Sequence, residues 1–179
     1  MNKKDSIKQR NPELYERFLF RYIRPEEAPQ AAEIEQICFP PNEACTRERI
    51  IERAEKASEF FLTAIDKTTG NLAGFLNGIC TDEDLFRDEF FTDISLHNPD
   101  GKNIMLLGLD VLPQYRGQGL AREIMHNYLC MAGEKNKQTV ILTCLENKVE
   151  MYKKMGYTDC GLANSNWGGE QWHEMSCSV

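Results

Sequence analysis

Apolar residues recur along this chain with two periods, one typical of helices and one typical of strands. Helical spacing, with apolar residues every three or four positions, marks the segments 25–39, 43–57, 119–135 and 146–155. Short alternating or continuously apolar runs, which predict strands, lie at 15–23, 60–66, 72–80, 104–112, 138–145, 157–162 and 171–179. This order predicts one α/β domain with a mixed sheet over residues 15–179, preceded by a flexible tail of residues 1–14.

One strand and one loop differ from the rest of this pattern. Residues 104–112 form a nearly continuous apolar run, which predicts a buried central strand. Asp110 interrupts that run, and a carboxylate in apolar surroundings needs a partner or a role. Residues 81–103 are acidic and aromatic without a regular period, which predicts a long loop, and long loops in compact domains are often functional.

The composition limits the classes of function. The chain has 179 residues and a formal net charge of −7, which argues against nucleic acid or an anionic membrane as a partner. A cationic or amine ligand is compatible with this charge. The seven cysteines form neither a CxxC pair nor a zinc-binding spacing, and the first residues lack the apolar core of a secretory signal. We therefore expect reduced thiols, no metal, no membrane partner and a cytoplasmic location.

The stretch DVLPQYRGQGLAREIM at 110–125 combines a strand end, an arginine, two glycines and the start of a helix. A helix N-terminus exposes unpaired N–H groups, and glycines let an anion approach them, so this loop predicts a phosphate-rich ligand. A P-loop would need Lys and then Ser or Thr after Gly119, where Leu120 and Ala121 stand. A dinucleotide fingerprint would need a third glycine at Arg122.

Two motifs carry a resemblance to a known family. The hexapeptide RGQGLA, from Arg116 to Ala121, matches the pattern R/Q-x-x-G-x-G/A. Further along, CLENKVEMYKKMGY places a strand end, a short helix and a Gly-Tyr pair in order. On these elements the chain resembles the GNAT N-acetyltransferases, in which the first pattern holds the pyrophosphate of coenzyme A. Residues 24–50 also resemble the first-helix region of the arylalkylamine N-acetyltransferase branch.

The resemblance implies the GNAT fold, an α/β architecture with a central mixed twisted sheet of about seven strands and about four flanking helices. Coenzyme A would lie in the splay between the two central strands, which we expect to separate after Leu109. The backbone of Leu109, Asp110 and Val111 would bond the pantetheine, and one N–H there would polarise the thioester carbonyl. The resemblance implies acetyl-CoA as co-substrate, bound further by Arg116, Gly117, Gln118, Gly119, Leu120, Ala121, Arg122, Asn147 and Tyr152.

Tyr152 is the first catalytic candidate, because the resemblance places its hydroxyl beside the thioester sulfur, where it would protonate the leaving thiolate. A ring packed on an apolar helix face is the alternative role. Asp110 is the second candidate. The two histidines of the arylalkylamine branch align with Met105 and Leu107, so the general base stays open. Other candidates for the base are Glu33, Glu35, Glu83, Asp84 and His97.

The resemblance implies direct transfer of an acetyl group to a primary amine, either an arylalkylamine or a polyamine-like small molecule. The resemblance requires no covalent cysteine intermediate. Two alternatives stay open, namely a protein N-terminus or lysine as the acceptor and a non-catalytic module that only binds acyl-CoA. A homodimer is a further expectation from the resemblance.

Overall fold

The computed structural model describes residues 11–179, and the predicted tail before residue 11 lies outside the described residues. Seven strands are present, and they are β1 Phe18–Tyr22, β2 Phe61–Asp66, β3 Leu72–Thr81, β4 Asn103–Val111, β5 Thr139–Cys144, β6 Thr158–Leu162 and β7 His173–Ser178. The α-helices of this part of the chain are α1 Pro12–Arg17, α2 Ala28–Cys38, α3 Arg47–Lys56, α4 Leu120–Glu134 and α5 Val149–Lys154.

The strands form one mixed sheet in the order β1-β2-β3-β4-β5-β7-β6. Neighbouring strands are antiparallel except β4 and β5, which run parallel and are connected through α4. Helices α4 and α5 pack on one face of the sheet, around Ile124 and Tyr128, and α2 and α3 pack on the other, around Ala31 and Ile50. The predicted α/β fold with a mixed sheet is confirmed. Along residues 11–179, no helix is both long and apolar enough to cross a bilayer.

Helix α1 corrects the prediction for the start of the chain. The strand predicted over 15–23 begins only at Phe18, because Tyr15 and its neighbours belong to the helix. Asn11 caps α1 by accepting a hydrogen bond from the Glu13 N–H at 3.2 Å. Leu14 is buried in the core, so ordered structure includes the last residues assigned to the tail. A helix of six residues is too short to show a helical period in the sequence.

The segment between β3 and β4 is an irregular loop, as predicted, and contains short 3-10 turns at Asp88–Phe91 and Ile94–Leu96. Its aromatic residues anchor it, because Phe86 and Phe90 are buried against the α2 and α3 side of the sheet. Helix α3 begins at Arg47, inside the predicted helical segment 43–57, and the Thr46 hydroxyl accepts a hydrogen bond from a backbone N–H of its first turn. The loop is therefore a packed part of the molecule, and it can present side chains in fixed positions.

Strand β4 bends in the middle of the sheet. Its register against β3 shifts where Asn77 faces Gly108 and the next residue of β3 faces Leu106, so Leu107 has no direct partner. Pairing between β4 and β5 ends at Met105, earlier than the predicted separation after Leu109. The bulge explains the difference, since a bulged strand bends away from its neighbour. Beyond this point β4 and β5 diverge and leave a gap in the sheet.

Candidate active site

A cavity of about 570 Å³ occupies the gap between the diverging strands. Its walls include Leu107 and Leu109 of β4 and Cys144 of β5. Helix α5 and the start of α4 border it on one face of the sheet, and the end of α2 borders it on the other. One cavity therefore connects the two faces of the sheet.

Successive residues of β4 direct their backbone N–H and C=O groups alternately toward β3 and toward the gap. The Leu112 N–H donates to the Ala73 carbonyl oxygen at 3.0 Å, and hydrogen-bonded pairs alternate with non-bonded pairs along antiparallel strands. The backbone of Asp110 therefore faces β3, whereas the backbones of Leu109 and Val111 face the gap. This corrects the expectation that the Asp110 backbone bonds the pantetheine.

The loop before α4 leaves backbone N–H groups exposed at the helix N-terminus. Gly117 and Gly119 have φ of 76° and 88°, a left-handed conformation that favours glycine. Among residues 11–179 no side chain caps α4, and the Glu123 N–H makes the first bond of the helix, to the Gly119 carbonyl. The N–H groups of Leu120 and Ala121 therefore have no partner within the helix, and such groups bind phosphate readily.

Two arginines border this loop. The Arg116 Nε donates to the Val111 carbonyl oxygen at 2.8 Å, which holds the guanidinium beside the end of β4. The Arg17 Nη1 donates to the Gln118 Oε1 at 3.0 Å. Sequence reasoning identified Arg116 through its motif but missed Arg17, which lies on α1, far from the loop in sequence. The positive charge suits an anionic ligand.

Tyr152 lies on α5 with its ring packed edge to face against Tyr157 at 5.8 Å between centroids. Within residues 11–179, no protein group hydrogen-bonds its hydroxyl, and the residue lines the cavity. Burial raises the pKa of Tyr152 above its ordinary value, and Cys144 and Asp110 nearby raise it further. Burial also raises the pKa of Cys144 to about 11. At neutral pH Tyr152 therefore holds its proton and Cys144 is a thiol, not a thiolate nucleophile.

Aromatic residues line the end of the cavity opposite to the α4 loop and Tyr152. The rings of Phe91 and Trp167 stack with centroids 4.7 Å apart and an interplanar angle of 29°. The Trp167 Nε1 donates to the Glu43 carbonyl oxygen at 2.7 Å, and the Trp172 Nε1 donates to the Trp167 carbonyl oxygen at 2.9 Å. Burial, together with the nearby Glu170, raises the pKa of the Glu43 carboxyl. Two separate segments thus build an aromatic wall, and a third segment supplies the carboxyl group beside it.

The five other candidates for the general base lie in different parts of the structure. Glu35 is buried and lines the cavity, whereas Glu33 is exposed on the same helix. The Glu83 carboxylate pairs with Arg87, and Asp84 pairs with Lys102. His97 accepts a hydrogen bond at Nδ1 from the Cys80 N–H at 3.0 Å, away from the cavity. Of these five, the structure brings only Glu35 to the site.

The predicted cofactor residues divide into two groups. Those that line the cavity are Leu109, Val111, Arg116, Gly117, Gly119, Leu120, Ala121 and Tyr152. Those that do not are Asp110, Gln118, Arg122 and Asn147. Asp110 is buried behind Gly108, and Gln118 is engaged by Arg17. Asn147 lies exposed on the turn before α5, where Leu145 and Lys148 reach the cavity in its place.

Residues 23–157 match the model of the Acetyltransferase (GNAT) family. The chain belongs to this family. Serotonin N-acetyltransferase of Mesocricetus auratus is 28% identical over 111 residues, which are 62% of this chain and 52% of the relative. The chain therefore spans about half the length of that curated relative. The match agrees with the resemblance to the arylalkylamine branch.

Solved structures show the same fold. The loading GNATL domain of CurA from Lyngbya majuscula superimposes with a TM-score of 0.77 at 15% identity, covering 90% of this chain and 97% of that one. YhbS of Escherichia coli, a GNAT family N-acetyltransferase in complex with CoA, gives a TM-score of 0.62 at 20% identity, covering 90% and 81%. The predicted GNAT fold is confirmed.

Proposed function

We propose that this protein transfers the acetyl group of acetyl-CoA directly to the primary amine of a small arylalkylamine-like molecule. One observation carries the proposal. A single cavity connects a phosphate-suited loop and Tyr152 on one face of the sheet with an aromatic, carboxyl-bordered end on the other. A donor and an acceptor can therefore approach each other from opposite faces and meet in the gap between β4 and β5.

The residues at the first end fit coenzyme A. The pyrophosphate would meet the N–H groups of Leu120 and Ala121 and the charge of Arg116. Gly117 has open space around it, since apart from its chain neighbours no atom of the described residues lies within 4 Å of where a Cβ would be. The exposed backbone of Leu109 would bond the pantetheine as a substitute for the missing strand. These features support the cofactor roles predicted for this loop.

Acetyl-CoA, when bound, supplies an electrophilic thioester carbonyl and a thiol leaving group. Tyr152 lines the same cavity, and its hydroxyl has no competing protein partner among the described residues. We assign this hydroxyl the role of general acid for that thiol. Cys144 and Cys38 also line the cavity, and burial raises the pKa of both thiols. Neutral thiols are poor nucleophiles, which supports direct transfer without a cysteine intermediate.

The second end favours an aromatic acceptor over a polyamine. A flat ring gains stacking and apolar burial against Phe91 and Trp167, whereas a polyamine would gain only from the carboxyl groups. Glu43 lies at the same end, where it can attract an ammonium group. An arylalkylamine combines both features in one small molecule, which supports this acceptor class.

Thiol release from acetyl-CoA tests the proposal directly. The assay would compare tryptamine, phenylethylamine, spermidine and short peptides with free N-termini, using the wild type and Tyr152→Phe. We expect the arylalkylamines to turn over fastest, and the variant to lose at least ~100-fold in kcat, the range for a lost general acid. Preferred turnover of peptides would favour a protein acceptor. Acetyl-CoA binding without turnover of any acceptor would indicate a non-catalytic binder.

A further inference from the structure

Two buried carboxyl groups from different elements meet beside the bulge of β4. A Cβ added to Gly108 would lie 3.0 Å from the Asp110 Oδ1 and 3.5 Å from the Glu35 Oε2. Glu35 is 2% exposed and Asp110 is 1% exposed. No donor among the described residues bonds the Glu35 Oε2 or either Asp110 oxygen. Buried oxygens without donors are costly, so this arrangement needs an explanation.

A shared proton explains the pair. Two ionised carboxylates at close range in a buried site repel strongly, so one of them keeps its proton at neutral pH. Burial and the neighbouring Glu35 raise the pKa of Asp110 well above its usual range. The Glu35 Oε1 accepts a hydrogen bond from the Cys45 N–H at 3.0 Å, which stabilises a negative charge on Glu35. The bond from the Cys45 N–H to Glu35 thus favours Asp110 as the group that keeps the proton.

A buried cation is connected to the pair through Asn77 and Cys45. The Arg53 Nη1 donates to the Asn77 Oδ1 at 3.2 Å, and its Nη2 donates to the Phe91 carbonyl oxygen at 2.8 Å. The Asn77 Nδ2 in turn contacts the Gly108 carbonyl oxygen at 3.5 Å. The Arg53 Nη2 also donates to the Cys45 Sγ at 3.1 Å, and Arg53 is 3% exposed, so its charge is buried in the same cluster. The cluster therefore tolerates one negative charge on Glu35 without a net buried charge.

The position of Glu35 is suited to proton transfer. It lines the cavity from the α2 side, together with Gly108, while Asp110 lies behind Gly108 and away from the cavity. We propose that Glu35 is the base that accepts the proton of the acceptor ammonium, and that Asp110 is a positioning residue that donates a hydrogen bond to it. This inference rests on the proposed function, because it concerns the amine of that reaction.

The proton balance of the reaction can be written with these groups. The Glu35 carboxylate takes one proton from the ammonium and leaves a neutral amine. The nitrogen lone pair forms the N–C bond to the acetyl group, while the C–S bond breaks and its electron pair goes to sulfur. Tyr152 gives sulfur a proton and regains one from nitrogen, and Glu35 then releases its proton to solvent. The ammonium loses two protons in total, of which one ends on the thiol.

Glu43 is the other carboxyl group of the cavity and the natural rival for this role. It is partly exposed and belongs to the aromatic wall, where its carbonyl oxygen binds Trp167. Glu35 lies next to the β4 bulge, where the two ends of the cavity meet. A base must reach the amine at the point of attack, which favours Glu35.

Acceptors of different basicity test the role of Glu35. The assay would compare phenylethylamine with β,β-difluorophenylethylamine, whose fluorines leave more of the amine neutral at pH 7. For Glu35→Gln we expect kcat to fall at least ~100-fold with phenylethylamine, as for a lost base, and far less with the fluorinated amine. Glu33→Gln, an exposed change on the same helix, is the matched control and should equal the wild type. Equal losses with both amines would overturn the role, because a structural defect affects both alike.

Two other outcomes of this assay would also overturn the role of Glu35. A Glu43→Gln variant that shows the amine-dependent loss while Glu35→Gln does not would move the role to Glu43. If the wild type turns over no amine, the proposed function fails and the role of Glu35 fails with it.

Infrared spectroscopy tests the shared proton through the carbonyl stretch of a buried protonated carboxyl. This measurement needs no turnover, and it does not require the Glu35→Gln variant to fold. We expect this stretch in the wild type at pH 7 and in Tyr152→Phe, and we expect it to disappear in Asp110→Asn. Its absence from the wild type would overturn the shared proton.

Discussion

The Arg116 side chain donates from Nε to the carbonyl oxygen of Val111, the last residue of β4, at 2.8 Å. This bond joins the loop before α4 to the strand that borders the gap in the sheet. The Cys38 Sγ donates to the same oxygen at 3.4 Å, so α2 also meets the strand at this point. Three of the elements that border the cavity are therefore held together at the end of β4.

Arg116→Gln should weaken the binding of acetyl-CoA more than the chemistry. The change removes a permanent cation beside the loop, and a hydrogen bond to a charged group contributes about 1.5–3 kcal/mol. We expect the KM for acetyl-CoA to rise by at least about tenfold with kcat little changed. Acetyl-pantetheine, which lacks the pyrophosphate, is the control substrate and should show almost no difference between the two proteins. An equal loss with both donors would mean that Arg116 acts through the β4 end instead.

Gly119→Ala should destabilise the fold through backbone strain alone. Gly119 has φ of 88°, and the nearest atom to an added Cβ, the Leu14 Cδ1, is 4.0 Å away. A left-handed conformation costs an alanine roughly 1–2 kcal/mol, and no steric clash adds to it. Gly133→Ala in α4 is the control, because helical glycine is less stable than alanine by about 0.5–1 kcal/mol. The midpoint of urea unfolding should therefore fall for Gly119→Ala and rise for Gly133→Ala. Shifts of the same sign would contradict backbone strain at Gly119.

Asp110→Asn should change how stability depends on pH. The pKa of Asp110 is raised in the folded protein by burial and Glu35, whereas an unfolded aspartate titrates near ~3.9. As pH rises above about 4, only the unfolded state loses this proton, so the free energy of unfolding falls by at most about 1.4 kcal/mol per pH unit. Asparagine removes this titration and keeps a hydrogen-bond donor for Glu35.

The free energies of unfolding of wild type and Asp110→Asn should therefore diverge between pH 5 and pH 8, with the variant gaining relative stability as pH rises. Asp159, whose pKa is lowered by a backbone N–H and by His173, provides a comparison of opposite sign. Its asparagine variant should lose stability relative to the wild type once pH exceeds the usual aspartate pKa. Parallel wild-type and Asp110→Asn curves would show that Asp110 is ionised in the folded state.

The strands and the phosphate-suited loop could be predicted because their signals are local. Continuous apolar runs predict buried strands, and the two glycines after Arg116 predict a helix N-terminus without a cap. The Thr46 cap of α3 was predictable for the same reason. A local pattern is sufficient where neighbouring residues determine the conformation.

The contacts that complete the site are long-range, and no local pattern contains them. Glu35 meets Asp110 only because α2 packs against the bulge of β4, and Arg17 reaches Gln118 only through the fold. The glycine inside the predicted strand, Gly108, was the one available signal for the bulge, since glycine within a strand often marks one. A bulge at that residue predicts a separation of β4 from β5 before Leu109, closer to Met105, where their pairing ends.

Trp167→Leu should reduce the preference for aromatic acceptors. The change removes the ring that stacks on Phe91 at 4.7 Å, and an aromatic pair contributes about 0.5–1.5 kcal/mol beyond its area, or roughly 2–12-fold in binding. We expect the KM for tryptamine to rise by about tenfold, while the KM for spermidine stays close to the wild-type value. Trp167→Phe is the matched control, because it keeps a ring for stacking and loses only the Nε1 bond to the Glu43 carbonyl. Equal effects of the two variants would assign the role of Trp167 to that hydrogen bond, and the aromatic wall would then hold the loop in place without recognising the acceptor.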